Sequence, residues 1–480
     1  MQASWVVTEM QTVDLEDERL NARLGLVLDQ LGAHPTASIP AACGGYAETA
    51  AAYRLFDNER VTFDKVLAPH IDVTRQRIAG QRVVLLPQDT TEIDLTRPEQ
   101  RVVGAGPLDG DSRRGAFLHL LHAFTPNGTP LGTLHAHTWV REDEPTLSMA
   151  ERETRKKHTP IEEKESYRWV STLQRAQAEA RRNPQTQFVC LADSEADVYE
   201  LLMAGTAKPR AVDWIVRACQ DRASQADDAE TTLHLREQVL GSPVLFTNTI
   251  TVRSRTQKVA CEQRGRRQSR VGRKAAVEVR ASTVTLRPPW RVDGKLPAVT
   301  VNVVLVREID PPVGEEPVEW ILLTSLPIET CEQVRGVAEY YCARWMVEIL
   351  FRTLKSGCRA EERRFEHIDR LLPCLAVYLI VSWRTLHVCR LGRECPEVSC
   401  EVIFEPAEWR AAYHLVHRKP PPRTAPPLAE MVRLVAQLGG YVNRKRKDPP
   451  GPQTVWLGLQ RLHDIALCYQ TFGPGAELSD

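Results

Sequence analysis

Apolar residues recur at three- and four-residue steps through Leu20, Leu24, Val27, Leu28 and Leu31, a spacing that lines one face of a helix. Asp14 or Asp17 can cap that helix, and a Gly-Ala-His-Pro segment stops it. Two more helices are expected over 46–58 and 63–78, so residues 1–80 read as an all-α domain. After residue 81 the period changes. Arg82-Val-Val-Leu-Leu-Pro87 is a short apolar run that suits a buried strand, and it delivers Gln88-Asp89-Thr90-Thr91 at its end. Stretches 116–124 and 132–140 flank Pro126-Asn127-Gly128, a hairpin signal. A helix over 161–182 leads into a second buried strand, 187–192, which ends in Asp193-Ser-Glu-Ala-Asp197, and 214–217 reads as a further strand.

Residues 218–330 alternate apolar and polar positions over 244–252, 276–286 and 298–306, which predicts an inserted β domain. It carries a basic run over 264–274. Helices resume after 331 and continue to about 415, and the Pro-rich segment 419–427 reads as a stiff linker. Beyond it come a helix over 428–438, a second basic cluster at 443–447 and a last helix over 454–469. The expected class is α/β, with a mixed-sheet core from 81–217 and 331–415, the insertion at 218–330, and all-α regions at 1–80 and 416–480.

Tyr341, Arg344, Glu348 and Lys355 lie three, seven and fourteen residues apart. In one continuous helix they fall within an arc of about 60°. Most mixed-charge stripes are solvated faces. Asp89 and Asp193 change the reading, because ligands commonly bind where strand ends place carboxylates at a shared sheet edge. With Glu348 they make three hard oxygen donors and no nearby His or Cys, a set that favours Mg²⁺ or Mn²⁺. Two such ions about 4 Å apart serve in-line phosphoryl transfer.

Composition narrows the partners. Lys plus Arg number 62 and Asp plus Glu number 62, so a nucleic-acid partner has to be found through local clusters. The opening residues carry no basic segment ahead of an apolar one, and the longest apolar run, 371–383, contains Pro373 and falls short of the roughly 20 residues that span a bilayer. These features, with twelve cysteines and no Cys-x-x-Cys pair, lead us to expect a reduced cytoplasmic protein with no membrane partner. His387, Cys389, Cys395 and Cys400 offer a zinc reading, but their spacing is irregular for a structural site.

Asp89-Thr90-Thr91, Asp193-Ser-Glu-Ala-Asp197 and the Tyr-x-x-Arg-x-x-x-Glu-x-x-x-x-x-x-Lys series together resemble the DDE transposases of the insertion sequence four family. The resemblance is close to full length. It extends to Ala52-Tyr-Arg54, Arg113-Arg-Gly115 with His119, Lys164-Glu-Ser166 with Trp169, Trp320-Ile-Leu-Leu-Thr324, Gly439-Gly440 and the final helix. It implies a ribonuclease-H-like core, an N-terminal domain that binds transposon ends and a C-terminal dimerisation helix. The implied chemistry is cleavage of both strands through a DNA hairpin, then joining of the 3′ ends to target DNA, with Asp89, Asp193 and Glu348 holding two metal ions. The partners would be double-stranded DNA at terminal inverted repeats, target DNA and a second copy of the chain.

Residue by residue, Trp320 matches the tryptophan that stacks on a flipped base, and Tyr341, Arg344 and Lys355 match the residues that grip the adjacent phosphate. Arg352 and Arg217 match further DNA-contacting cations, and Arg19 and Arg23 match basic positions of the end-binding helix, where Leu20 replaces a cation. Trp345 reads as packing. Two other functions share the fold: a domesticated or inhibitory DNA-binding protein, and a structure-specific endonuclease. The intact acids weigh against the first, and Trp320 with the last helix against the second.

Overall fold

Five helices open the chain: α1 (Ser4–Glu9), α2 (Glu18–Ala33), α3 (Ile39–Cys43), α4 (Tyr46–Phe56) and α5 (Phe63–Ile78). In this computed structural model the described residues are 2–97, 99–109, 112–143, 148–225, 232–252, 254, 271–291, 294–442 and 449–472. Asp17 caps α2 by accepting from the Arg19 N–H, and the helix buries Leu24, Val27, Leu28 and Leu31 along the expected face. Ser38 and Thr62 cap α3 and α5 in the same way. Strands β1 (Val83–Asp94), β2 (Gly106–Pro107), β3 (Arg114–Phe124) and β4 (Pro130–Trp139) follow, with β2 and β4 both antiparallel to β3. Gly115 explains the Arg113-Arg-Gly115 signature, because a Cβ there would lie 1.9 Å from the carbonyl oxygen of Ile93 on β1.

Next come α6 (Met149–His158), α7 (Tyr167–Arg182), β5 (Gln187–Ala192), α8 (Tyr199–Thr206), β6 (Asp213–Arg217), β7 (Ala223–Gln225), β8 (Thr232–His234) and α9 (Leu235–Leu240). The long strands β9 (Val244–Val252), β10 (Arg273–Leu286), β11 (Val299–Glu308) and β12 (Glu319–Thr324) complete the β-rich stretch, and α10 (Cys331–Ala343) follows. The helix expected over 161–182 starts only at Tyr167, since 161–163 forms a single 3₁₀ turn. Beyond α11 (Trp345–Arg352) the chain is helical: α12 (Ile368–Glu394), α13 (Pro406–His417), α14 (Leu428–Leu438) and α15 (Pro452–Phe472).

The chain divides into two compact units. One comprises Met1–Gln81, Thr90–Glu142 and Met346–Asp480. Its core forms around α12, whose Leu371, Leu375, Tyr378, Leu379 and Trp383 pack with Leu24, Leu28 and Phe56 of the first helices. By length and hydropathy α12 is apolar enough to cross a membrane, yet 83% of its most apolar stretch is buried inside the structure, as a central core helix requires. A second apolar cluster joins the end of α12 to α13, α14 and α15 through Val388, Trp409, Val435, Val455 and Leu462.

The other unit comprises Arg82–Asp89 and Asp143–Trp345. Its sheet begins with the first half of β1, to which β5 and then β6 pair in parallel, and it continues antiparallel through β12, β11 and β10. The inserted strands are therefore extensions of the same sheet as β5 and β6. Its core joins Leu85, Val189, Leu191 and Ile215 to Val304, Leu322 and Tyr341. The basic cluster at 443–447, and 264–270 of the other basic run, lie outside the described residues.

Candidate active site at the strand ends

Strand register sets the site. Pro87 pairs with Leu191, and Leu191 pairs with Ile215, all in parallel. Asp89 on β1, Asp193 one residue past the end of β5 and Arg217 at the end of β6 continue that register as a row at one end of neighbouring strands. Parallel strands in register lie about 4.8 Å apart and direct such residues to the same face. Two carboxylates and a guanidinium thus share one sheet edge. Asp193 also caps the following turn, its Oδ1 accepting from the Glu195 N–H at 2.8 Å. Arg217 donates through Nη2 to the Ser194 hydroxyl at 3.2 Å.

Arg344 reaches this row. Its Nη1 donates to Asp89 Oδ2 at 3.0 Å, and both side chains are largely buried. Beside it Tyr341 is buried, and burial pushes its phenol above the usual range although the Arg344 and Arg217 charges act the other way. The Tyr341 ring takes the Trp320 indole edge-on, with centroids 5.7 Å apart. Trp320 is half-buried on β12, opposite Val306 of β11. Of the expected site residues, Asp89, Asp193, Arg217, Trp320, Tyr341 and Arg344 come together in this unit.

Two expectations fail here. Residues 341–355 do not form one continuous helix: the Arg344 N–H bonds the carbonyl of Tyr341 three residues back and breaks the run between α10 and α11. A π turn over Thr353–Gly357, closed by the Cys358 N–H on the Thr353 carbonyl at 2.8 Å, breaks it again. Trp345 is not a packing residue either. It is 50% exposed and lies against the Arg344 guanidinium, 4.9 Å from ring centroid to carbon.

In the other unit Glu348 is half-buried on α11, and Arg352 at the end of that helix is exposed. Lys355 donates to the Glu92 carbonyl at 2.8 Å and pairs with Glu361 at 3.0 Å. Arg19 is exposed and paired with its own cap residue Asp17 at 3.1 Å, while Arg23 is half-buried on the same helix. His387, Cys389, Cys395 and Cys400 do not assemble. His387 bonds the Pro130 carbonyl at 2.9 Å, and among the described residues no three His, Cys, Asp or Glu side chains group as a metal site.

Sequence reasoning missed the role of Asp197. Fully buried, it pairs with Arg222 at 2.7 Å and accepts from the backbone N–H groups of Cys219 and Gln220. Its place four residues after Asp193 was the available signal, since a second acid in a short motif at a strand end invites the question of what it holds. His119 enters the sequence reading only as part of a signature. It is buried and bonds the Thr90 hydroxyl at 2.8 Å, on the residue that follows Asp89.

Three family descriptions match in succession. Residues 2–61 match a transposase DNA-binding domain, 171–372 a transposase DDE domain, and 380–470 the dimerisation domain of Tn5 transposase. The chain belongs to the DDE transposases. It resembles the transposase of transposon five, and the DDE match takes in Asp193, Arg217, Trp320, Tyr341, Arg344, Glu348, Arg352 and Lys355, while Asp89 precedes it. The mixed α/β fold of this transposase agrees with a ribonuclease-H-like core. A solved structure, the cryo-EM piggyBac transposase synaptic complex with hairpin DNA, aligns with a TM-score of 0.30 and 10% identity over 68% of this chain. The chain spans about half, 51%, of that structure's chain.

The donor chemistry fits a divalent cation. Asp89 and Asp193 offer carboxylate oxygens from the same row, donors of the kind a divalent cation binds. The Arg344 guanidinium holds Asp89 Oδ2.

Proposed function

We propose that this transposase cuts both strands at transposon ends through a DNA hairpin and transfers the freed 3′ ends into target DNA. The row of Asp89, Asp193 and Arg217, flanked by Arg344 and Tyr341, is the observation that carries the reading. It combines carboxylates for cations with cations for phosphate at one sheet edge. Asp89 and Asp193, with Glu348 assigned by the signature spacing, would hold Mg²⁺ or Mn²⁺, two ions per site, which when bound supply Lewis acidity and an activated oxygen nucleophile.

The chain's own residues do the positioning. Arg217 and Arg344 present planar forks suited to two oxygens of one phosphate, which sets the scissile strand in line. Tyr341 keeps its proton, because burial raises its phenol, so it donates a hydrogen bond to a phosphate oxygen at any physiological pH. Lys355 and Arg352 extend the contact along the backbone. Trp320 offers a planar face to a base turned out of the hairpin and offsets its lost stacking. Arg19 and Arg23 on α2 contact the terminal repeat, and a second copy of the chain joins through the C-terminal helices. In each transfer an oxygen attacks phosphorus as the opposite phosphorus–oxygen bond breaks, and the leaving strand carries away the electron pair.

The test is incubation of the full chain with Mg²⁺ and DNA carrying the element's flanking repeats, read on a denaturing gel. Hairpin-ended fragments are expected, and nicks alone would overturn the hairpin route. Asp89→Asn, Asp193→Asn and Glu348→Ala should each abolish cleavage while retaining the gel shift. Full cleavage by any of the three would remove that residue from the site.

A further inference from the structure

The strand end that carries Arg217 is fixed from two sides. On one side Arg217 pairs with Leu322 of β12, and the Ala218 N–H donates to the Ile321 carbonyl at 2.8 Å. On the other, the loop immediately after it is gathered by Asp197. Asp197 Oδ2 accepts from the Cys219 N–H at 2.9 Å and the Gln220 N–H at 3.0 Å, two and three residues beyond Arg217. Its Oδ1 accepts from Arg222 Nε at 3.1 Å and Nη2 at 2.7 Å, and Arg222 Nη2 also donates to the Asp197 carbonyl at 2.6 Å. The two side chains are 0% and 8% exposed.

These bonds run between the turn that follows Asp193 and the loop that follows Arg217. Asp197 lies four residues after one member of the row and holds the chain just past another. We propose that Asp197 and Arg222 are positioning residues for Arg217: they set the distance at which its guanidinium stands beside Asp193 and Ser194, and so the placement of a bound phosphate. This rests on the reading of Arg217 as a DNA contact given above. A buried ion pair of this quality is a weak source of net stability, because desolvating two charges offsets most of their attraction. Its value lies in a fixed geometry, and here that geometry is next to the row.

A double-mutant cycle separates positioning from support. The full chain is compared as wild type, Arg217→Ala, Asp197→Asn and the double variant, by single-turnover hairpin formation with Mg²⁺ and by gel shift on the same DNA. Asp197→Asn keeps an oxygen for the loop N–H groups and removes the charge. Each single variant is expected to slow the hairpin step by about 10²-fold, the cost of roughly 1 Å of misplacement. Adding Asp197→Asn to Arg217→Ala should then cost less than about twofold, because the residue it acts through is gone. Losses that multiply would overturn the positioning role and leave Arg217 as a DNA contact. An unaffected Arg217→Ala would overturn the DNA contact itself, and the positioning role with it. If thermal melts show that Asp197→Asn is unfolded, Arg222→Lys carries the same cycle, since it keeps the charge and removes the planar fork.

Discussion

Arg344 Nη1 and Asp89 Oδ2 stand 3.0 Å apart, in a pair whose side chains are only 6% and 14% exposed. A divalent cation drawn to Asp89 has to compete with that guanidinium, whereas a phosphate offers Arg344 another anion. DNA binding and cation binding should therefore favour one another. Removing the competitor as Arg344→Ala should tighten Mn²⁺ binding to the DNA-free protein by about tenfold, equivalent to roughly 1.4 kcal/mol, while lowering cleavage. Titration calorimetry with Mn²⁺ reads the first effect and a cleavage gel the second. Unchanged Mn²⁺ affinity would show that the pair does not compete.

Trp320 meets Tyr341 edge-on at 5.7 Å, a contact of the kind worth about 0.5–1.5 kcal/mol. Trp320→Ala removes both that contact and the face available to a base, whereas Trp320→Phe keeps an aromatic face of smaller area. The expected order of hairpin yield is wild type, then Phe, then Ala, with initial nicking preserved in all three. Equal hairpin yield for Ala would leave Trp320 as a core residue.

The parts of the site that lie on strands were legible, because a short apolar run predicts a buried strand and a buried strand has an end. Asp89, Asp193 and Arg217 follow from that logic. The helical signature was legible as a set of residues and illegible as a shape. Nothing in the spacing of Tyr341, Arg344, Glu348 and Lys355 reports that the Arg344 N–H closes on Tyr341, or that a π turn follows at Thr353. At those breaks the side chains meet partners distant in sequence or outside the stripe: Asp89 for Arg344, Glu92 and Glu361 for Lys355. Trp345 was misread for a related reason. A tryptophan inside an apolar helix is most simply core, and only its neighbours reveal that it stands 50% exposed against Arg344.

A buried proton network makes the unit built around α12 sensitive to acid. Glu9 Oε2 lies 2.6 Å from His70 Nδ1, Glu9 Oε1 lies 2.6 Å from Arg77 Nη1, and the Thr133 N–H donates to His70 Nε2. His70 is therefore neutral, with its proton on Nδ1. Burial lowers its pKa, and it lowers that of His387 to about 4. Burial alone would raise Glu9, but His70 and Arg77 outweigh it and hold the carboxyl below its usual range. The signs agree. As pH falls below about 6.5 the unfolded chain gains a proton that folded His387 refuses until about pH 4, which removes about 1.4 kcal/mol per pH unit, and His70 acts in the same direction. The Glu9 contribution is present above the usual carboxylate range and is lost at still lower pH, through its depressed value. Melting temperature should fall steadily from pH 6.5 to 5, and His387→Gln should flatten that slope. An unchanged slope in the variant would remove His387 from the account.

The crossing of α14 and α15 is closer than any side chain permits. A Cβ on Gly439 would lie 1.9 Å from the Thr454 carbonyl oxygen, and one on Gly458 would lie 1.8 Å from that of Val435. In both cases the obstacle is backbone, so no rotamer change relieves it and the helices must separate. Gly458→Ala gains helix propensity of up to about 1 kcal/mol, but overpacking of this kind costs about 1–3 kcal/mol or more. The cost also spreads, because Val435, Val455 and Leu462 share one apolar cluster with Val388 at the end of α12. Gly458→Ala should therefore lower the melting temperature of the full chain, and Gly439→Ala should do the same. The substitution Gly440→Ala is the local control: no atom lies within 4 Å of a Cβ there, so only its φ of 89° is strained. Thermal denaturation of the three variants decides the matter, and a Gly458→Ala protein as stable as wild type would show that the helices part without loss.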